Sequence, residues 1–145
     1  MSHALKVVCL TQYQEKGAPG VVIPKAELLE GLGMEGNMYQ GGEWQLSLLS
    51  SETRGWMDSQ KKRGFCFERF KENILTEGIS LETLETGQRL SVGDAIIRIS
   101  MQNKRCHSEC VLFSKGMECR LSKGAAFAAV ERGGFVCAGD PICLL

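Results

Sequence analysis

The chain has 145 residues, 43% of them apolar, and its seventeen basic side chains cancel its seventeen acidic ones. That length suits one domain, residues 1–145, with a sizeable core. The balanced charge leaves no global field to draw the protein to nucleic acid or a membrane surface. No apolar run approaches the roughly 20 residues of a membrane span, and the apolar run in MSHALKVVCL is too short for a secretory signal, which together predict a cytoplasmic protein.

Taken in chain order, LKVVCL (5–10) is β-branched and apolar and predicts a buried first strand, broken by EKGAPG. Pro24 and KAELLEGLG then allow either a short helix ended by Gly31 or a strand leaving a proline bend. GLGMEGNMYQGG is glycine-dense and predicts a loop with unusual backbone angles. WQLSLLS (44–50) reads as a strand. Ser50 or Ser51 can cap a helix running to about Lys62, with Gly64 after it. NILTEGI (73–79) predicts a short strand ending at glycine.

Two segments repeat without gaps, ETGQRLSVGDAI (85–96) and ERGGFVCAGDPI (131–142). Gly-Asp between apolar runs is a hairpin signal, so each unit predicts strand–turn–strand. Asp94 and Asp140 are thereby given turn roles rather than acid–base work. Between the repeats, AIIRISM (95–101) and AAFAAVE (125–131) read as strands flanking QNKRCHSECVLFSKGMECRLSKG. Short strands at turn-separated spacing predict a mainly β chain, a barrel or sandwich.

Seven cysteines in a chain with no export signal argue against a disulfide framework. Cys9, Cys137 and Cys143 lie in strand-like runs and Cys66 between phenylalanines, so these four read as small buried hydrophobes. Cys106, Cys110 and Cys119 crowd with His107 into one polar stretch just past a strand. Three readings of that stretch stand open. Lys104, Arg105 and His107 flank Cys106, and positive charge stabilises the reactive thiolate, which suits a nucleophile or sulfur carrier. Cys110 and Cys119 could then serve as resolving thiols. Alternatively Cys106, Cys110, Cys119 and His107 supply four zinc-compatible ligands, at a spacing unlike the usual zinc motifs. In the third reading the thiols simply pack.

Lys61, Lys62, Arg63, Arg69 and Lys71 are candidate contacts for a phosphate-like anion. Lys61 and Lys62 read better as a solvated helix end. Glu72 and Asn73 fit a structural role satisfying backbone groups.

The chain resembles the MOSC family, the molybdenum cofactor sulfurase C-terminal domain, in its small stand-alone bacterial form. The resemblance rests on GLGMEGN (31–37), QLSLLSSE (45–52), FKENILTEGISLETLETGQRLSVGDAIIRIS (70–100), KRCHSEC (104–110) and GAAFAAVERGGFVCAGDPI (124–142). It implies a β-barrel with a few short helices, which would make KAELLEGLG extended. It implies sulfur transfer, or binding of molybdenum cofactor (molybdopterin), through Cys106, the position of the family's hallmark cysteine and a molybdenum ligand in that setting. Arg69, Asn73, Lys104, Arg105 and Asn37 become candidate cofactor contacts. The implied partners are molybdenum cofactor or molybdoenzyme maturation proteins, with a cysteine desulfurase as sulfur donor. The first motif departs from the family pattern: Asn37, Tyr39 and Trp44 stand where an acid, an imidazole and a cation are usual. That departure favours a non-catalytic module that binds a pterin or a partner; a zinc-stabilised interaction domain is a further alternative.

Overall fold

The computed structural model describes residues 5–38, 40–42, 45–59, 72–78, 81–102 and 125–145. They form two sheets. The larger has eight strands in the order β11 (Ile142–Leu144), β7 (Arg89–Val92), β8 (Ala95–Gln102), β9 (Ala125–Arg132), β5 (Leu46–Ser50), β6 (Ile74–Glu77), β1 (Lys6–Gln12) and β2 (Val21–Ile23). The smaller has β10 (Gly134–Cys137), β3 (Lys25–Leu29) and β4 (Gly33–Met34). One helix, α1 (Ser51–Ser59), and a single 3-10 turn at Leu81–Thr83 complete the described elements. No helix among the described residues is long and apolar enough to cross a membrane.

The alternation of apolar residues builds the core. Ala26 and Leu28 of β3, Leu90 and Val92 of β7, and Ile97 and Ile99 of β8 all point inward and are buried. β1 departs from strict alternation. A register shift between Val7 and Cys9 lets Val7 and Leu10 both reach the core, while Val8 is 38% exposed. The first strand is therefore half buried rather than wholly so. KAELL is a strand, as the extended alternative required, and the helix alternative fails. Ser50 Oγ accepts a hydrogen bond from the Thr53 N–H at 3.1 Å, so Ser50 is the N-cap of α1. The predicted continuation of this helix to Lys62 lies outside the described residues.

Two features were not legible beforehand. First, β5 and β6 pair in parallel, with Leu48 opposite Ile74, so α1 belongs to a strand–helix–strand crossover. Second, only one Gly-Asp repeat is a hairpin. Val92 pairs with Ala95 across Gly93-Asp94, joining β7 to β8. The other repeat divides: β10 pairs with β3 in the small sheet and β11 with β7 in the large one. The Asp140 carboxylate accepts the Cys137 N–H at 2.8 Å and the Gly139 N–H donates to Val7 at 2.7 Å, which turns the chain from one sheet to the other. Pro141, having no N–H, cannot continue a hairpin ladder there.

The expected closed barrel is not observed. The eight-stranded sheet stays open, with β2 and β11 at its edges. Its curl does bring β1 against the approach to β11, through a bridge between Lys6 and Pro141 and a hydrogen bond from Ile142 N to Leu5 O at 2.9 Å. β2 still lies beyond β1, so the edges do not join. The cysteines are less buried than their strand positions predicted. Cys9 and Cys137 are partly exposed and Cys143, on an edge strand, is exposed.

The two Gly-Asp corners pack on each other. A Cβ at Gly93, where φ is +56°, would lie 2.6 Å from Asp140 Oδ2 and 2.9 Å from the Phe135 carbonyl oxygen. Gly139 also has positive φ, +93°, but open space around it. Gly139→Ala is therefore expected to cost about 1–2 kcal/mol of backbone strain, and Gly93→Ala more, because strain and a backbone clash add. Chemical denaturation of both variants checks this; equal losses would mean the corners are not in tight contact.

Candidate functional site

Asn73 immediately precedes β6, and its whole peptide unit works as a cross-brace. Its N–H donates to Ser47 O at 2.8 Å and its C=O accepts from Thr11 N at 2.9 Å. Its side chain extends the brace. Oδ1 accepts the Ser47 N–H at 3.1 Å, while Nδ2 donates to Thr11 O and to Asn37 Oδ1, each at 3.2 Å. Asn37 Oδ1 also accepts the Tyr13 N–H at 2.9 Å. Both asparagines are about 95% buried. The structure thus brings together two of the residues singled out from the sequence, and both N–H donors of Asn73 are spent on protein partners.

Beside this amide pair sits a charged clamp. Arg54, on α1, pairs with Glu72, their side chains 25% and 14% exposed. Glu52 Oε1 accepts the Gly78 N–H at 3.2 Å, so α1 is tied to both ends of β6. Tyr13 completes the cluster. Its ring lies against Gly20, where a Cβ would meet Tyr13 Cε1 at 2.6 Å. Burial, then the Glu72 charge, pushes the Tyr13 phenol from 10.0 up to about 12; Arg54 offsets this and Cys9 adds to it. Tyr13 therefore stays neutral through the physiological range and can act as a hydrogen-bond donor.

The position of this cluster follows from register. Gln102 pairs with Ala126, Ala126 with Leu48, Leu48 with Ile74, and Ile74 with Leu10. Asn73 and Ser47 lie one step along from that row. The ends of the segment between β8 and β9, Gln102 and Ala125, are thus held by strands in the middle of the sheet order. Cys106, His107, Cys110, Cys119, Lys104 and Arg105 belong to that segment and lie outside the described residues, as do Arg69, Tyr39, Trp44 and the remaining cations of 61–71. Among the described residues no group of three or more His, Cys, Asp or Glu is placed to hold a metal ion.

Sequence reasoning missed Tyr13 and the Arg54–Glu72 pair. The ion pair spans eighteen residues with no local signature. For Tyr13 the available signal was a tyrosine just past a strand, which is weak.

A family-level comparison decides what kind of scaffold this is. The model of the MOSC domain matches residues 35–143. The chain belongs to the MOSC domain family. No curated protein sequence matches it. Solved structures share its fold. The YuaD protein from Bacillus subtilis superposes with a TM-score of 0.73 at 19% identity, covering 97% of this chain and 94% of that one. YiiM from Geobacillus stearothermophilus gives 0.68 at 17% identity, over 97% and 75% of the two chains. YiiM from Escherichia coli gives 0.60 at 20% identity, over 97% and 69%.

Two outcomes are expected from this MOSC site. Asn73→Ala should lose about 2–4 kcal/mol, since it takes the side-chain partner from the partly buried Ser47 N–H and Thr11 carbonyl and leaves Asn37 Oδ1 with one hydrogen bond fewer. Urea denaturation measures it; a loss below 1 kcal/mol would show that water replaces the brace. For Tyr13, the folded state holds the neutral phenol with the higher pKa. Its contribution to stability is therefore complete below about pH 10 and is lost as pH rises toward about 12. Absorbance titration near 295 nm (roughly the phenolate band) should show a late-ionising phenol that vanishes in Tyr13→Phe, and the alkaline fall in denaturation midpoint should be smaller in that variant.

Proposed function

We propose that this MOSC protein carries sulfur, or binds molybdenum cofactor, through Cys106, acting as a single cytoplasmic domain. The observation that carries this reading is the family match over residues 35–143, which spans Cys106 and the KRCHSEC motif. The described frame supports it. Gln102 and Ala125, the two ends of the segment that holds Cys106, are fixed by paired strands, and binding residues held by a rigid scaffold are a common arrangement.

The chemistry uses the residues of this chain. Lys104 and Arg105 favour the Cys106 thiolate. That thiolate attacks the outer sulfur of a donor persulfide, such as one on a cysteine desulfurase. The donor's S–S bond breaks, its thiolate leaves, and a persulfide forms on Cys106 with no net oxidation. An acceptor nucleophile then takes the outer sulfur and releases the Cys106 thiolate. Alternatively, Cys110 or Cys119 attacks Cys106 Sγ and expels hydrosulfide, leaving a disulfide that a dithiol reductant resets. Were molybdenum cofactor bound, Cys106 would offer the metal a thiolate, Arg69, Lys104 and Arg105 would face its phosphate, and Asn37 and Asn73 would hold the frame. The cofactor would supply redox chemistry at the metal.

One observation favours a second reading, a module that binds and delivers without making or breaking bonds. Asn37 occupies a position where the family pattern has an acid, and its carboxamide oxygen is used to hold Tyr13 N and Asn73. In this reading molybdenum cofactor or a maturation partner is held stoichiometrically.

The deciding measurement is a native mass spectrum of anaerobically purified protein, wild type beside Cys106→Ala, before and after exposure to a persulfide donor. The expected result is one added sulfur, or a molybdenum or pterin mass, on the wild type alone. The same adduct on both proteins would overturn the role of Cys106. A cofactor mass that persists without sulfur turnover would select the binding module.

A further inference from the structure

We propose that the outward face of β7, β8 and β9 is a docking surface for an acidic protein segment. We assign that segment to the protein that exchanges sulfur with this chain, a part of the inference that rests on the function proposed above.

In β8, Ala95, Ile97 and Ile99 fill the core, so Ile96 and Arg98 face outward. The register places Arg89 of β7 directly opposite Arg98, and Arg132 of β9 opposite Ile96. Three arginines thus share one face of a chain whose net charge is zero. Glu131 answers only one of them, through a 2.7 Å hydrogen bond from Arg89 Nε. Among the described residues no ion pair or side-chain hydrogen bond involves Arg98 or Arg132. Like charges directly opposite on adjacent strands oppose folding; Glu131 offsets Arg89, while Arg98 and Arg132 have no carboxylate partner among the described residues.

Between them lie the partly exposed Ser91, Ile96 and Phe127, with Ala129 buried beneath. A face with arginines beside the partly exposed Ile96 and Phe127 suits a protein partner, where arginine is enriched at energetically important positions. Its charge suits carboxylates, which guanidinium groups bind as planar pairs. Nucleic acid is the poorer fit, because the wider chain supplies no basic field. Arg98 lies four residues, about 13 Å, along β8 from Gln102, where the segment with Cys106 begins. A partner seated on this face would be within reach of that end of the sheet.

The probe is a hexaglutamate peptide at low salt, with an oligothymidylate of equal charge as comparison. Amide NMR of the full chain should show peptide-induced shifts grouped at residues 89–91, 96–100 and 127–132. Arg98→Glu should weaken binding at least tenfold, whereas Lys16→Glu, toward the other end of the chain's sheet order, should not. Arg98→Thr separates function from structure: it removes an unpaired cation and threonine suits a strand, so binding should fall while the melting temperature holds or rises. Scattered shifts, undiminished binding by Arg98→Glu, tighter binding of the oligothymidylate, or a melting loss in Arg98→Thr would each overturn the proposal. Cys106→Ala should bind the peptide like the wild type. A failure of the sulfur chemistry would thus leave the docking face standing, and loss of peptide binding would leave the sulfur chemistry standing.

Discussion

A buried carboxamide next to the start of β6 holds three parts of this molecule in register. Where β6 has not yet begun, Asn73 supplies hydrogen bonds from main chain and side chain to Ser47 on one side and Thr11 on the other. It thereby continues the ladder between β5 and β1 by one more step. The same side chain fixes Asn37 and, through it, the Tyr13 backbone. Buried polar groups are costly unless satisfied, and among the described residues every buried side-chain nitrogen and oxygen has a partner. The asparagine pair is therefore a joint that admits little variation. The Arg54–Glu72 clamp and the raised Tyr13 phenol are arranged around it.

The second organising feature is the fate of the repeated Gly-Asp units. Two segments with the same pattern adopt different topologies because of what surrounds them. Gly93-Asp94 is free to form a two-residue hairpin. Gly139-Asp140 is followed by Pro141 and is captured by Val7, while the Ala138 N–H before it donates to Pro24 O. Once the strands diverge into two sheets, the second corner lies over the first, and that close approach demands glycine at 93. The curl of the large sheet follows from the same contacts, which draw β1 toward the approach to β11 without joining the edges.

Most strands were legible in the chain because they carry local signals. The alternation of WQLSLLS, the β-branched run of LKVVCL, and Gly-Asp at turns each act over a few residues, whereas KAELLEGLG left helix and strand open until the family resemblance favoured an extended form. Ser50 as a helix cap was legible for the same reason. The family could also be read, from FKENILTEG, KRCHSEC and the closing segment, and the match over residues 35–143 agrees. Part of the candidate site was visible as well: Asn37 and Asn73 were singled out, though not as a mutually bonded pair. The chemistry proposed for Cys106 rests on residue type and neighbours, which sequence does display.

What the sequence could not contain is pairing between distant segments. Parallel pairing of β5 with β6, the assignment of β10 and β11 to different sheets, and the bulge that exposes Val8 depend on contacts made only after collapse. The Arg54–Glu72 pair and the burial that lifts the Tyr13 phenol are of the same kind, as are Arg89 and Arg98, nine positions apart yet face to face across a hairpin. Sequence by itself determined strand content, turn chemistry, the capped helix and the family, because these arise from neighbouring residues. The tertiary structure alone decided sheet membership, the open edges, the buried asparagine joint and the charge that gathers on one face, because each needs groups brought together through space.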